Sequence, residues 1–147
     1  CLYGVPSIGF SLCDHSPKAD FRASREVVRK VTQAVIENGL PRDTCLNVNI
    51  PVATPGEIRG IRLCRQAIGR WVEEFDRRKD PRGKDYFWLT GAFVNEEPDA
   101  EDTDEWALTN TYASLVPVKI DLTHHKMREK MQKWDIFTPA HEQIKKI

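Results

Sequence analysis

The sequence predicts a mixed α/β fold, and its first third carries the three observations behind that prediction. Residues 5–12 (VPSIGFSL) form a short, apolar, β-rich run that suits a strand buried in a layered sheet. Residues 21–38 place apolar side chains at helical spacing opposite a charged face. Residues 44–51 (TCLNVNIP) alternate in polarity, which is typical of a second strand. A strand–helix–strand order favours an α/β layer over an all-β fold.

The predicted helix has start and stop signals on either side. Asp20 is the predicted N-cap, so the helix is expected to run from Phe21 to Asn38. Gly39 follows, where a glycine can adopt the left-handed conformation that ends a helix, and Pro41 prevents its continuation. The helix is therefore expected to end before the second strand begins.

A loop rich in Pro and Gly at residues 51–60 changes the character of the chain. A short strand is expected directly after it, at residues 60–64. Two further strand-like segments, 71–76 and 86–89, flank Asp80-Pro81-Arg82-Gly83, where Pro and Gly stand as a tight turn requires. This pattern predicts a β-hairpin.

The predicted hairpin carries large apolar groups on both faces. Tyr86 and Trp88 are expected to point to one face, and Phe87 and Leu89 to the other. Because an isolated hairpin is only marginally stable in water, this one is expected to pack on a neighbour such as another subunit. Trp71, on the first strand, is expected to share in that contact.

The last third of the chain alternates between polar and apolar stretches. Residues 95–105 form an acidic segment with few apolar groups, which is expected to be a mobile loop or to be ordered by a partner. Residues 112–122 return to a strand, in which Pro117 favours an edge or bulge position.

Charged helices are expected to close the chain. Thr123 is the predicted N-cap of the first, with Leu122 and Met127 forming a hydrophobic staple across it. A second short helix is expected from Thr138 to the end. The first helix carries a narrow apolar stripe that suits docking onto another surface. This stripe comprises Met127, Met131 and Trp134.

Charge and composition exclude several classes of protein. The 147 residues hold 22 basic and 22 acidic side chains, so no net field steers the chain toward nucleic acid or an anionic membrane. The sequence has no apolar run long enough to cross a membrane. The four cysteines lack C-x-x-C spacing, which favours buried free thiols in a cytoplasmic protein. An arginine-rich stretch with Trp71 and Phe75 keeps nucleic-acid binding as a weaker alternative.

The sequence contains no Walker loop, no G-x-G-x-x-G, no H-E-x-x-H and no zinc-binding spacing. Glu101, Asp102 and Asp104 offer the hard oxygen donors that a divalent cation prefers, but the EF-hand pattern is missing and a solvated loop is favoured. The adjacent His124 and His125 point about 100° apart on a helix, so they cannot chelate one ion.

Two smaller groups of polar residues are candidates for a role. Ser11, Asp14 and His15 follow the first strand, and ligands in open α/β sheets bind at the carboxyl ends of strands. No G-x-S-x-G elbow surrounds Ser11, so a nucleophilic serine is not expected. Asp121 and His125 are four residues apart and are expected to hydrogen-bond, with a structural role favoured over a functional one. The polar side chains expected to lie on the sheet face are Asn47 and Asn49.

Five segments together resemble one known family. In chain order they are GVPSIGFSL, LNVNIP, DPRGKDYFWLTG, DTDEWAL and YASLVPVKIDLT. Their order and spacing are similar to those of the C-terminal half of the SurE family, the survival-protein 5′-nucleotidases and acid phosphatases. Residues 114–118 and Thr111 depart from the family pattern in ways that a strand tolerates.

The resemblance implies a fold and an assembly. The chain is expected to form part of a three-layer α/β/α sandwich with an extended β-hairpin arm and a C-terminal helix. Residues 1–57 would belong to the α/β core, 58–123 to the arm and return strand, and 124–147 to a helical tail exchanged between subunits. The implied assembly is a homodimer or homotetramer. The positions expected to serve assembly or structure are Trp71, Tyr86, Trp88, Asp121 and His125.

The same resemblance implies an activity and a division of labour. The family hydrolyses nucleoside 5′-monophosphates, and 3′-monophosphates as a further class, with a divalent Mg²⁺ or Mn²⁺ ion. The N-D-D-G motif that mainly binds this ion is not in this sequence, so neither a catalytic residue nor a metal ligand is expected here. An N-terminal part of the protein is expected to be missing. Ser11, Thr103 and Asp104 are expected at the rim of the substrate site. The alternative is a non-catalytic oligomerisation or binding module.

Overall fold

Six strands and three helices organise residues 1–137, the part of the chain that the computed structural model describes. In chain order they are β1 (Ser7–Leu12), α1 (Ser24–Asn38), β2 (Thr44–Ile50), β3 (Ile61–Leu63), β4 (Gly69–Lys79), β5 (Asp85–Asn95), α2 (Asp104–Thr109), β6 (Ala113–Lys119) and α3 (His125–Met131).

Four of the strands form one mixed sheet in the order β1-β2-β6-β3. β1 is parallel to β2, β6 is antiparallel to β2, and β3 is parallel to β6. The alternating sequence of β2 suits its internal position, because every second side chain is apolar and buried. β1 begins at Ser7, later than predicted, and it leaves Gly9 and Ser11 exposed. The expectation that this strand is buried on both faces is therefore wrong for the described residues.

Helices cover both faces of the sheet. On one face, Val27 and Val31 of α1 pack against a cluster that includes Val48, which is 0% exposed. On the other face, Ala107 of α2 packs against Val116 of β6. Each fully buried aliphatic side chain of this kind contributes about 1.5–3 kcal/mol. The structure confirms the α/β class and the layered architecture.

Helix α1 begins at Ser24, so the predicted start at Phe21 is wrong. The Asp20 carboxylate accepts a hydrogen bond from the Arg22 backbone N–H at 2.9 Å and pairs with the Arg22 guanidinium at 2.6 Å. Asp20 therefore stabilises a turn ahead of the helix instead of capping it. The predicted end is confirmed: Gly39 has a φ of 73°, and its N–H donates to the Val35 carbonyl at 2.8 Å.

The predicted hairpin is confirmed and is longer than expected. β4 and β5 each span 11 residues and pair antiparallel along their whole length. At the turn, the Asp80 carboxylate accepts backbone hydrogen bonds from Arg82 at 2.8 Å and Lys84 at 2.9 Å. Gly83 has a φ of 80°, a conformation that side chains disfavour. The register also confirms that Tyr86 and Trp88 lie on one face of the hairpin and that Phe87 and Leu89 lie on the other.

The acidic segment is ordered by contacts within the chain, which corrects the expectation of a loop that is mobile or depends on a partner. The Arg65 guanidinium pairs with Glu97 at 2.8 Å and with Asp102 at 2.8 Å. Glu97 also accepts the backbone N–H of Ile68 at 2.7 Å, and the Arg65 contact lowers the pKa of its carboxyl. The end of the segment forms the start of α2, a helix that the sequence analysis did not predict.

Pro117 lies in β6, a strand that is internal for only part of its length. β3 pairs with β6 from Ala113 to Leu115 and ends there. Among the described strands, Pro117 therefore has a neighbour, β2, on one side only. The prediction of an edge position is right for this part of β6 and wrong for its beginning.

Helix α3 is capped by His124, so the predicted cap at Thr123 is wrong. The His124 Nδ1 accepts a hydrogen bond from the Met127 backbone N–H at 3.1 Å. Leu122 is 96% exposed, which excludes the predicted staple. Trp134 lies beyond the end of α3, and its backbone N–H donates to the Met131 carbonyl at 2.9 Å. The second helix predicted from Thr138 lies outside the described residues.

Two further expectations concern the chain as a whole. Within residues 1–137, the helices are too short or too polar to cross a membrane. β3, α2 and β6 share the sheet core with β1 and β2, while β4 and β5 form a separate two-stranded arm. The division at residues 57 and 123 stays a prediction.

Candidate functional site

A row of polar side chains crosses one face of the sheet, near the carboxyl ends of β1 and β2. Because side chains alternate along strands, this row lies on the face opposite α1. Ligands in open α/β sheets bind at the carboxyl ends of parallel strands, which makes the row the candidate site. Its members, in register across the sheet, are Ser11, Asn49, Ser114 and Arg62.

Ser114 is the unusual member of this polar row. It is 0% exposed, and its Oγ has no hydrogen-bond partner among the described residues. A buried hydroxyl without a partner costs about 1–3 kcal/mol. Such a group in a folded protein therefore marks a position where a further hydrogen bond would be favourable.

Ser11 and Asn49 are the accessible members of the row. Ser11 is exposed near the end of β1, and Asn49 is half-buried beside it on β2. Their hydroxyl and amide groups are neutral donors and acceptors. Such groups suit the oxygens of a phosphate ester or a sugar, which accept and donate hydrogen bonds.

The first turn of α2 lies close to the end of β1. Burial raises the pKa of the Cys13 thiol, and the Glu105 carboxylate raises it further. The pKa of Glu105 itself is raised, first by burial and then by the neighbouring Asp104. A glutamate with a raised pKa keeps its proton to higher pH than usual, which suits it to proton transfer.

Thr103 and Asp104, both predicted at the rim, are largely buried and hold α2 in place. Thr103 caps the helix: its Oγ1 accepts from the Trp106 backbone N–H at 3.2 Å and donates to the Ala100 carbonyl at 2.8 Å. The Asp104 carboxylate accepts from the Ala67 backbone N–H at 2.8 Å. These contacts fix the start of α2, while the rim assignment itself stays a prediction.

Arg62, at the end of the row, is fixed by aromatic rings. Its guanidinium lies 4.8 Å from the centre of the Trp106 ring and 5.5 Å from that of Tyr112. The two rings stack at 6.4 Å between their centres, and Arg59 covers Tyr112 at 4.6 Å. These cation–π contacts hold a positive charge beside Ser114.

The residues that the sequence analysis missed at this site are Cys13, Glu105 and Ser114. Sequence alone gave no signal for Ser114, because its neighbours in the row come from three other strands. Glu105 had a usable signal. Thr103 stands directly before Asp104, and a threonine ahead of an acidic residue and an apolar run is typical of a helix start. A helix predicted there would have included Glu105, which the sequence analysis assigned to the loop.

The described residues do not themselves make a metal cage. Within residues 1–137, no group of three or more His, Cys, Asp or Glu side chains converges. The carboxylates considered for a cation have other partners: Asp102 binds Arg65, and Asp104 binds the backbone. The donors of the polar row are neutral oxygens and a cation, so they fit an anionic ligand better than a metal ion.

The other candidates lie apart from the polar row. Asp14 accepts from the Ser16 backbone N–H at 2.8 Å and so stabilises the turn after β1, where His15 is exposed. The predicted Asp121–His125 hydrogen bond is confirmed, at 2.5 Å between Oδ2 and Nε2. The predicted arm residues Trp71, Tyr86 and Trp88 are all exposed.

A sheet covered by helices, with polar groups at the carboxyl ends of its parallel strands, defines a protein of the α/β class with a candidate ligand site at that edge. Comparisons with known proteins narrow this class. A family model described as "Survival protein SurE" matches residues 1–73. The chain is 46% identical over 136 residues to the 5′-nucleotidase SurE of Phocaeicola vulgatus, covering 92% of the chain and 52% of the relative. It is 49% identical over 135 residues to that of Christiangramia forsetii, with the same two coverages of 92% and 52%.

A solved structure gives the same result. The SurE protein from Aquifex aeolicus superposes with a TM-score of 0.69 at 34% identity, covering 89% of this chain and 52% of that one. The chain belongs to the SurE family, and it spans about half the length of the curated relatives it matches, since it covers 52% of each of the two named above.

Proposed function

We propose that the complete protein is a metal-dependent phosphomonoesterase that hydrolyses nucleoside 5′-monophosphates, and 3′-monophosphates as a further class, to nucleoside and phosphate. The observation that carries this proposal is 46% identity to a 5′-nucleotidase over 92% of the chain. The polar row supports it, because neutral donors and a fixed guanidinium suit a phosphate ester.

Under this proposal the chain contributes substrate contacts and support. Ser11 and Asn49 would hydrogen-bond the substrate, and Thr103 and Asp104 would hold the first turn of α2 at the rim. A divalent Mg²⁺ or Mn²⁺ ion would be bound mainly by residues outside these 147, since the N-D-D-G motif of the family is not in this sequence. When bound, such an ion supplies charge stabilisation and an activated water.

The proposal includes an assembly and a location. The exposed apolar side chains of the arm favour a homodimer or homotetramer, and the tail after Asp121 would pack on a partner subunit. A cytoplasmic location accords with the four free cysteines. The second candidate function is a non-catalytic oligomerisation module, and the same exposed arm favours it.

Activity assays separate the two functions. The complete protein is expected to release phosphate from a nucleoside 5′-monophosphate with Mg²⁺ or Mn²⁺, and the 147-residue chain alone is expected to be inactive. An inactive complete protein would support the module. Robust turnover by the chain alone would contradict the assignment of the metal ligands to other residues.

A matched pair of variants tests the polar row. In the complete protein, Ser11→Ala is expected to lower kcat/KM by about tenfold, the effect of losing one substrate hydrogen bond. Ser7→Ala removes a hydroxyl from the same face of β1, four residues away from the row. It is expected to leave kcat/KM unchanged, and equal effects of the two variants would contradict the site.

A further inference from the structure

The Ser114 hydroxyl in β6 is buried where a bound ligand cannot reach it. Ser114 is 0% exposed, and its Oγ forms no hydrogen bond within residues 1–137. Folded proteins pair the large majority of their buried side-chain polar atoms. Because a group without accessible surface cannot touch a ligand directly, the missing partner of this hydroxyl is expected to be a neighbouring side chain.

Asn49 of β2 is the neighbour best placed to be that partner. The antiparallel register sets Asn49 directly opposite Ser114. Directly opposite side chains leave the same face of a sheet, with their Cβ atoms about 4.5–5.5 Å apart. A hydroxyl and an amide at this separation come within hydrogen-bond distance by rotating about their side-chain bonds. Asn49 is half-buried, so its amide can contact both Ser114 and a ligand.

Arg62 of β3 is the weaker candidate for the partner of Ser114. It is paired with Ser114 on the other side of β6. Its guanidinium lies at the far end of a long side chain, 4.8 Å from the centre of the Trp106 ring and 5.5 Å from that of Tyr112. These cation–π contacts already hold the guanidinium over the rings. The register and these contacts together favour Asn49.

The two ends of the Asn49 amide differ in what they can bind. The Oδ1 atom accepts hydrogen bonds, and the Nδ2 group donates two. The oxygens of a phosphate ester carry negative charge and accept hydrogen bonds, so the Nδ2 end is the one that suits them. The two ends are alike in shape, so the amide can turn either way unless one end is held. A hydroxyl that donates to Oδ1 would hold the amide in the orientation that an anion needs.

We propose that Ser114 is a positioning residue for Asn49. When a phosphate ester binds, the Ser114 Oγ–H donates a hydrogen bond to the Asn49 Oδ1, and the Asn49 Nδ2 group then faces the oxygens of the ligand. Ser114 acts through Asn49 and does not touch the substrate. The inference rests on the proposed function, because that proposal places Asn49 in contact with the substrate.

The Ser114→Ala variant of the complete protein separates positioning from structural support. Because the hydroxyl has no partner among the described residues, its removal is expected to leave the Tm unchanged or to raise it. The kcat/KM for a nucleoside 5′-monophosphate with Mg²⁺ or Mn²⁺ is expected to fall by about tenfold, the effect of losing one oriented hydrogen bond to the substrate. A lower Tm in this variant would indicate a structural role and overturn the inference.

Ser24→Ala is the matched control. Ser24 is also buried, and its Oγ likewise has no hydrogen-bond partner among the described residues. It lies at the start of α1, on the face of the sheet opposite the polar row. Ser24→Ala is expected to leave kcat/KM unchanged, and equal losses of kcat/KM in Ser24→Ala and Ser114→Ala would contradict the assignment of Ser114.

A double-mutant cycle with Asn49→Ala tests whether Ser114 acts through Asn49. In the Asn49→Ala background, Ser114→Ala is expected to cause no further loss of kcat/KM, because its partner is already gone. A further tenfold loss in the double variant, or an unchanged kcat/KM in Ser114→Ala alone, overturns the inference and leaves the proposed function standing. A complete, unsubstituted protein that releases no phosphate overturns both.

Discussion

The sheet core and the arm use similar residue types in opposite ways. In β2 the apolar side chains face α1, and Ile50 is 1% exposed. In β4, which is longer, every residue is exposed, including Trp71 and Phe75. The core is stabilised by its own contacts, whereas the arm carries its apolar groups outward. The difference separates a part that is stabilised by contacts within the chain from a part whose apolar side chains lack such contacts among the described residues.

Shortening one apolar side chain in each region is expected to give the largest difference in the free energy of unfolding. Ile50→Ala removes a buried side chain and is expected to destabilise the protein by about 2–5 kcal/mol. Leu89→Ala makes the same kind of change on the exposed arm and is expected to alter the stability of the dilute protein by less than about 0.5 kcal/mol. Urea unfolding measures both. Equal losses would mean that the arm belongs to the core.

The capping hydroxyl of α2 should have the next largest effect. Thr103 is fully buried and caps the helix, so Thr103→Val is expected to cost about 1–2 kcal/mol. Thr103→Ser keeps the hydroxyl and is expected to recover most of that loss. Thermal unfolding followed by circular dichroism measures the difference. If the Thr103→Ser and Thr103→Val variants unfold at the same temperature, the capping hydroxyl does not stabilise this side of the sheet.

A glycine in each region sharpens the comparison further. A side chain at Gly91 would lie 2.5 Å from the Val72 carbonyl oxygen, so Gly91→Ala is expected to distort the arm. At Gly9 in β1 the nearest atom would be 4.0 Å away, so Gly9→Ala is expected to be tolerated. Near-UV circular dichroism of the arm tryptophans and light scattering should change for Gly91→Ala only. A normal arm in that variant would contradict the close strand approach.

The smallest expected effect concerns the junction between β6 and α3. Hydrogen bonds from Thr123 and His125 hold the pKa of the Asp121 carboxyl below its ordinary value of 3.8. Because the pKa is lowered in the folded state, the Asp121 carboxylate stabilises that state fully above pH 3.8, and this stabilisation is lost as the pH falls further. The Thr123 amide resonance should therefore titrate below pH 3.8 and lose that response in Asp121→Asn. A Glu129→Gln control should leave it unchanged.

Elements with a strong apolar pattern could be predicted from the sequence. β2 and the end of α1 follow directly from alternation and from Gly39. The arm was predicted too short, because Glu73, Glu74 and their neighbours show no apolar alternation. Charged residues can occupy such strand positions since β4 is exposed on both faces. A pattern based on burial cannot detect a strand without a buried face.

The site depended on information that sequence patterns do not contain. Ser11 became a candidate from its place after a strand, but Ser114, two strands away in the same row, is 103 positions later and meets the row only through the register of β2 and β6. The acidic segment was misjudged because its negative charges suggested solvation. Arg65, more than 30 positions earlier than Glu97, neutralises part of that charge and orders the segment.

Hydrogen–deuterium exchange at two protein concentrations tests the contrast between core and arm most directly. The amides of β2 should be protected at both concentrations, because contacts within the chain bury that strand. The amides of β4 and β5 should be protected only at the concentration where the full-length protein is assembled. Arm protection equal to that of β2 in the dilute, monomeric protein would contradict the account, and so would an unprotected arm in the assembled one.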